Sequence, residues 1–244
     1  MKINISNTTY IFILLSFLSG YFEYVFLFLL IILIHECGHL IFGKISGINN
    51  IEIILYPFGG ITKYDEKLNI SIKKELLCLI GGITFQILFY LLILYLYKNF
   101  YITDNVYNKI HKIHTLLIYF NFMPILPLDG GKIINIFLDM IFPYKKSYII
   151  SIIISLIFIV YFSLNNITYF SIFLTLFLIK SIIIEIKNIS IKYNKFLLER
   201  YLYKYNFKKI RIIRKIDNLK RDYYHIIGNM TETVFLSKLF DRKW

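Results

Sequence analysis

Residues 24–44 read YVFLFLLIILIHECGHLIFGK, and this stretch decides the fold. Eleven apolar residues, Tyr24 to Ile34, run without interruption into His35-Glu36-Cys37-Gly38-His39, and apolar chain resumes as far as Lys44. About 20 mainly apolar residues are what a helix needs to cross a bilayer, because only an internally hydrogen-bonded backbone is stable in hydrocarbon. Two imidazoles and a carboxylate inside such a helix are expensive to place there, which marks them as functional. Their spacing names a chemistry. Positions i and i+4 lie on one helix face about 5–6 Å apart, so His35 and His39 can share one Zn²⁺. Glu36, one residue on, can reach water at the metal without itself occupying a coordination position. Gly38 presents no side chain, so another backbone can approach there. The competing reading is a helix whose polar residues only pair with each other, as in an inactive descendant.

Working outward, the remaining apolar chain divides into further spans. Tyr10 to Phe42 is too long for one pass, and Gly20 and Glu23 mark a turn, so spans are expected at 4–22 and 24–44. Others are expected at 73–97, 112–141, 147–164 and 168–187. The N-terminal segment lacks a basic stretch beyond Lys2 and a small-residue cleavage site, and reads as a retained span. Orientation follows from Lys/Arg in the short loops. With the N-terminus inside, eight lysines (2, 44, 63, 67, 73, 74, 145 and 146) face the cytoplasm against three outside, Lys98, Lys109 and Lys112. Six spans then place the C-terminus in the cytoplasm as well. Between the second and third spans, IEIILYPFGGITKY (51–64) has β-rich halves around Pro57, Gly59 and Gly60, the composition of a hairpin or re-entrant turn packed over an internal cavity.

The composition agrees with this organisation. Of 244 residues, 57% are hydrophobic and 18% aromatic, which excludes an ordinary soluble domain and a disordered chain. Cys37 and Cys78 both sit in apolar context, so no disulfide framework is built. The net charge of +13 is concentrated at the end of the chain, where residues 188–244 carry 14 Lys/Arg and 5 Asp/Glu. This basic segment has no zinc-finger spacing or Gly-rich phosphate loop, so a lipid surface is expected there and nucleic acid is not. The fold class expected is an all-α polytopic membrane protein: about six transmembrane helices, a membrane-associated β-hairpin and a short basic cytoplasmic tail. Residues 1–187 would form the membrane part and 188–244 the tail.

A catalytic zinc takes three protein ligands and one water. The third is sought in the fourth span, where Asn121-Phe-Met-Pro124-Ile-Leu-Pro127-Leu-Asp129-Gly130-Gly131 interrupts the apolar run. Two prolines remove helical hydrogen bonds, and two glycines permit extended or positive-φ backbone, so the chain can turn inward and present Asp129. Asp129 also reads as a cap for a helix restarting at Gly130. His111 and His114 are read as interfacial and structural, because Lys109 and Lys112 beside them repel a cation. Cys37 points off the ligand face, and Lys132 and Lys180 are expected to snorkel or pair.

H-E-C-G-H together with N-F-M-P-I-L-P-L-D-G-G resembles the site-2 proteases, a family of intramembrane zinc metalloproteases. Y-P-F-G-G-I and F-L-L-E-R-Y are similar, more narrowly, to the stage IV sporulation protein FB subgroup. The resemblance covers about residues 24–200. It implies that His35, His39 and Asp129 ligate Zn²⁺ and that Glu36 is the general base. It also implies that Asn121 sits near the scissile carbonyl as an oxyanion or substrate-positioning group. The substrate implied is a membrane-tethered protein, in the subgroup a precursor of a sporulation sigma factor, with inhibitory membrane proteins and homo-oligomers as further partners. The subgroup's regulatory nucleotide-binding domain is expected to be shortened or absent, since 44 residues follow Arg200. In the N-in arrangement His39 lies five residues before Lys44, about 7 Å along a helix, so cleavage is expected near the cytoplasmic face of the cell membrane. The alternative of another class is an inactive metal-binding scaffold or transporter. The asymmetry of the broken fourth span disfavours it, because common transporters carry matching broken helices in repeated halves.

Overall fold

The computed structural model describes residues 2–48, 52–56, 59–63, 68–165, 168–203, 205 and 207–241. The chain divides into two compact units, residues 1–66 with 74–121, and residues 67–73 with 122–244.

The first unit opens with strand β1 (Lys2–Ile5), helix α1 (Asn7–Leu18) and helix α2 (Phe22–Ile45). Ser6 caps α1 by accepting the Thr9 N–H at 3.3 Å. Gly20 ends α1 at φ +76°, and the Tyr21 N–H reaches back to the Ser16 carbonyl at 3.0 Å. This left-handed glycine closure starts α2 on a new axis, at the turn expected there. Strands β2 (Glu52–Tyr56) and β3 (Gly59–Lys63) pair antiparallel, as the hairpin composition predicts; of the expected turn residues, Pro57 lies outside the described residues, and Gly59 and Gly60 open β3 instead. The sequence gives no hint of β1, which pairs parallel with β2 from Lys2↔Glu52 to Ile5↔Leu55 and makes the sheet order β1-β2-β3. Since β1 precedes α1 and β2 follows α2, this pairing ties both outer ends of the helix pair together. Helix α3 (Ile72–Lys98) and helix α4 (Asp104–Phe122) complete the unit.

In the second unit the Pro-rich break leads into helix α5 (Asp129–Ile141), followed by α6 (Tyr144–Asn165), α7 (Tyr169–Lys187) and α8 (Ile189–Tyr203). Against the six expected spans, three helices among the described residues are long and apolar enough to cross a membrane: α2, α3 and α6. Helix α1 is apolar but only 12 residues long. The expected fourth span is two helices, α4 beginning at Asp104 and α5 at Asp129.

Residues 188–241, expected as a basic tail, form a folded module. After α8 come β4 (Lys209–Ile213), a 3-10 turn (Ile216–Asn218), β5 (Tyr223–Ile227), β6 (Met230–Thr231) and α9 (Glu232–Phe240). β4 and β5 are parallel, and β5 and β6 form a tight hairpin whose Gly228 adopts φ +60°. Its core joins Tyr193, Phe196, Leu197, Ile213, Leu219, Ile227 and Leu236 to Tyr144 at the start of α6. The Tyr144 and Phe196 rings stack at 4.2 Å. Three charges of the basic run are turned inward. Arg200, 3% exposed, donates to Glu232 at 2.7 Å, to the Lys220 carbonyl at 2.8 Å and to Asn69 Oδ1 at 2.7 Å. Arg221 pairs with Asp139 at 3.0 Å, and Lys220 bonds the Met140 carbonyl at 3.2 Å. A charge count treats such residues as solvated. Here they satisfy buried carboxylates and carbonyls, which a folded core requires.

Candidate metal centre

Helix α2 carries the centre. His35, Glu36 and His39 are all buried, and their ligand atoms lie within 4.8 Å of one another. The two ring Nε2 atoms are 3.0 Å apart. What directs them toward each other is the other side of each ring. His39 Nδ1 is 3.0 Å from the Cys78 carbonyl, which can only accept, so Nδ1 carries the proton. His35 Nδ1 is 3.0 Å from Gln86 Oε1. The Gln86 amide is oriented by its own nitrogen, which donates to the His114 carbonyl at 3.4 Å, and this leaves Oε1 to accept from His35.

With Nδ1 of each ring held by an acceptor, the tautomer protonated on Nδ1 turns both Nε2 atoms toward one point. At 3.0 Å the two Nε2 atoms are close enough to share one cation. A tetrahedral Zn²⁺ with 2.0–2.1 Å bonds would hold two nitrogens about 3.3 Å apart, close to what is found. The donor set fits zinc. Partners on the far nitrogens fix tautomer and ring orientation, the usual arrangement behind metal-bound histidines.

Helix α3 reaches these rings because glycines admit it. A Cβ on Gly82 would fall 2.5 Å from His39 Nε2 and 2.8 Å from His35 Nε2. The close approach expected at Gly38 is made by the Gly81 backbone: a Cβ on Gly38 would lie 2.2 Å from the Gly81 carbonyl oxygen. Cys78, Gly81, Gly82 and Gln86 thus form one face of α3 matched to His35, Gly38, His39 and Phe42 on α2. The Cys78 thiol adds a reciprocal bond, donating to the His39 carbonyl at 3.3 Å. Sequence reasoning did not single out Gln86 or Cys78. The signal was a polar and small-residue stripe at helical spacing inside an apolar span.

The same unit brings Asn121 to the metal-facing side of His35, with Nδ2 3.5 Å from Nε2. β3 passes over Glu36: a Cβ on Gly60 would fall 2.3 Å from Glu36 Cγ. Cys37 is half-buried. His111 and His114 enter an aromatic cluster, His114 stacked on Tyr90 at 4.2 Å and His111 Nδ1 2.6 Å from the Tyr90 hydroxyl.

Asp129 belongs to the second unit, where it is buried in the first turn of α5. The N-cap is Leu128, so Asp129 is not the cap its alternative reading supposes. Lys132 Nζ lies 3.3 Å from Asp129 Oδ1. Gly130 and Gly131 are helical, so neither adopts the extended or positive-φ backbone expected there. Their role is steric. A Cβ on Gly130 would lie 2.4 Å from the Phe122 carbonyl oxygen, and one on Gly131 2.5 Å from the Leu126 nitrogen. The chain can double back over the start of α5 only because both side chains are absent.

Residues 23–116 match the family model described as Peptidase family M50. The chain is 27% identical over 148 residues to stage IV sporulation protein FB of Bacillus subtilis (strain 168), an alignment covering 61% of this chain and 51% of that one. It thus spans about half the length of this curated relative. Among solved structures, the site-2 protease from Methanocaldococcus jannaschii superposes with a TM-score of 0.58 and 26% identity, over 75% of this chain and 89% of that one.

Proposed function

We propose, from the resemblance of this chain to the site-2 proteases of Peptidase family M50 over residues 23–116, that it is an intramembrane zinc endopeptidase cleaving a membrane-tethered protein. The observation that carries the reading is the convergence of His35 Nε2 and His39 Nε2 beside Glu36, inside a helix apolar enough to span a bilayer. Asp129 is the proposed third ligand.

When bound, zinc would supply Lewis acidity, bringing the pKa of a water molecule down to near 7 and polarising the peptide carbonyl. The protein residues do the rest. Glu36 accepts the proton released by the attacking water and passes it to the leaving amine nitrogen. Asn121 Nδ2 donates to the carbonyl oxygen as its charge grows; losing such a donor elsewhere lowers rates by roughly 10²–10³. Gln86 and the Cys78 carbonyl hold the imidazoles in the tautomer that offers Nε2. A helical substrate has its amides closed in i to i−4 bonds and must unwind to reach the site. β1 covers one side of β2 and leaves β3 as a sheet edge over Glu36, where an extended substrate can add as a strand.

The chain is a multi-pass membrane protein. The lysine distribution supports cytoplasmic termini, with residues 1–187 as the membrane protease, 188–244 at the cytoplasmic lipid surface, and cleavage near that face. Similarity to a sporulation protein supports a sporulation sigma-factor precursor as substrate, with membrane inhibitor proteins and further copies of the chain as partners. The alternative of an inactive scaffold or transporter is not favoured by the family match.

The test is Glu36→Gln in a membrane cleavage assay with a tethered precursor. Zinc content stays at the parent level and cleavage stops. A variant that cleaves as fast as the parent removes Glu36, and with it this mechanism.

A further inference from the structure

We propose that Ser155, Ser151 and Ser147, spaced four apart on one face of α6, are positioning residues that set the placement of the Asp129 segment. The proposal rests on the reading of Asp129 as a zinc ligand.

A chain that leaves helical geometry inside an apolar region strands backbone N–H and C=O groups, and neighbouring Ser or Thr side chains are one means of satisfying them. Leu126 lies in the break between α4 and α5, three residues before Asp129. Its N–H donates to Ser155 Oγ at 2.9 Å. The Ser155 hydroxyl's own hydrogen goes to the Ser151 carbonyl at 2.8 Å, which leaves a lone pair facing the Leu126 N–H. One turn along, Ser151 Oγ lies 2.9 Å from Asn135 Oδ1. A turn further, the Ser147 hydroxyl bonds the Asp139 carboxylate, whose other oxygen takes Arg221 at 3.0 Å. The three serines are at most 2% exposed.

The contacts at residues 126, 135 and 139 bracket Asp129 on both sides. All three serines also bond a carbonyl of their own helix, as Ser163 bonds that of Val160; what distinguishes them is that they are buried and reach the break or α5 as well, whereas Ser163 is exposed. Gly130 and Gly131 keep the folded-back chain close, but they contribute no directional bond. Direction comes from the hydroxyls. Their loss lets the break slide along α6 and spreads the Asp129 carboxylate over several positions, which weakens a metal site whose geometry must be held.

The experiment is zinc competition against a chelator in detergent, well below the unfolding temperature, on the full chain. Ser155→Ala and Ser151→Ala are expected to raise the zinc dissociation constant by about 3–30-fold, and Ser163→Ala to leave it at the parent value. A purely structural role would lower the unfolding temperature of the zinc-free chain and leave zinc affinity alone. Should Ser155→Ala fail to fold, Ser151→Ala and Asn135→Ala read the same track from its other contact. Zinc affinity within twofold of the parent in the folded variants overturns the proposal. Asp129→Ala separates the two levels. Parent-like affinity in that variant sinks the ligand assignment itself, whereas its loss beside unaffected serine variants sinks the serine track alone.

Discussion

His35 and His39 each commit one ring nitrogen to the protein, and this leaves the other nitrogen for a metal. The commitment on His35 depends on one side chain, Gln86, 1% exposed and oriented by the His114 carbonyl. Gln86→Leu keeps the volume and removes the acceptor, so the His35 ring is free to turn or to move its proton to Nε2. Zinc affinity should fall by about 10–100-fold, the range found when partners behind a ligating histidine are lost. Equilibrium zinc titration checks this, and an unchanged affinity would mean that packing alone holds the ring. His35, Glu36 and His39 were legible because their relation is local: one helix turn fixes it, whatever the rest of the chain does. Gln86 lies 51 residues from His35, and nothing in the neighbourhood of either announces the other.

At the level of elements, α2 and α3 approach through glycine. Gly38→Ala drives a methyl into the Gly81 carbonyl, and backbone cannot yield as a side-chain end can. A destabilisation of about 1–3 kcal/mol is expected, the usual range for overpacking, measurable as a lower unfolding midpoint in detergent. Gly60→Ala separates from it. The added methyl there meets the flexible Glu36 side chain, so the proposed general base is displaced while the helix pair stays intact. Cleavage should fall well before stability does, and a variant with full activity would place the proton transfer elsewhere. The helices were readable from hydrophobic runs, and the break before Asp129 from its two prolines and two glycines. β1 was not. It is four residues long, and its partner Glu52–Leu55 lies beyond two helices, so only long-range pairing makes it a strand. The expected fourth span began too late because Asp104, Lys109 and Lys112 made the first turns of α4 look like loop.

Across the whole chain, the C-terminal module is where charge misled. Its residues read as a solvated basic tail, yet Arg200, His225 and Glu232 form a buried cluster that gives the module a pH response. His225 Nδ1 is 3.1 Å from Glu232, and its Nε2 accepts the Lys220 N–H at 3.1 Å. Burial pushes the His225 imidazole below its ordinary range. Burial alone would raise Glu232, but the His225 and Arg200 contacts outweigh it and hold the carboxyl below the usual range. An unfolded histidine takes a proton near pH 6.5, while the folded one resists until lower pH. Stability is therefore complete above about pH 6.5 and declines as the pH falls toward the folded value, and Glu232 adds a loss of the same sign below about 4.3. Unfolding midpoints should drop between pH 7.5 and 5.5, and His225→Gln should flatten the decline; a midpoint rising on acidification would reverse the assignment. A hydrolytic zinc held by two imidazoles and a carboxylate can be seen by X-ray absorption at the zinc edge of the purified chain. The expected spectrum is that of bound zinc surrounded by two imidazole nitrogens and oxygens at about 2.0–2.2 Å. A preparation that binds no zinc, or a shell containing sulfur at about 2.3 Å, would contradict it.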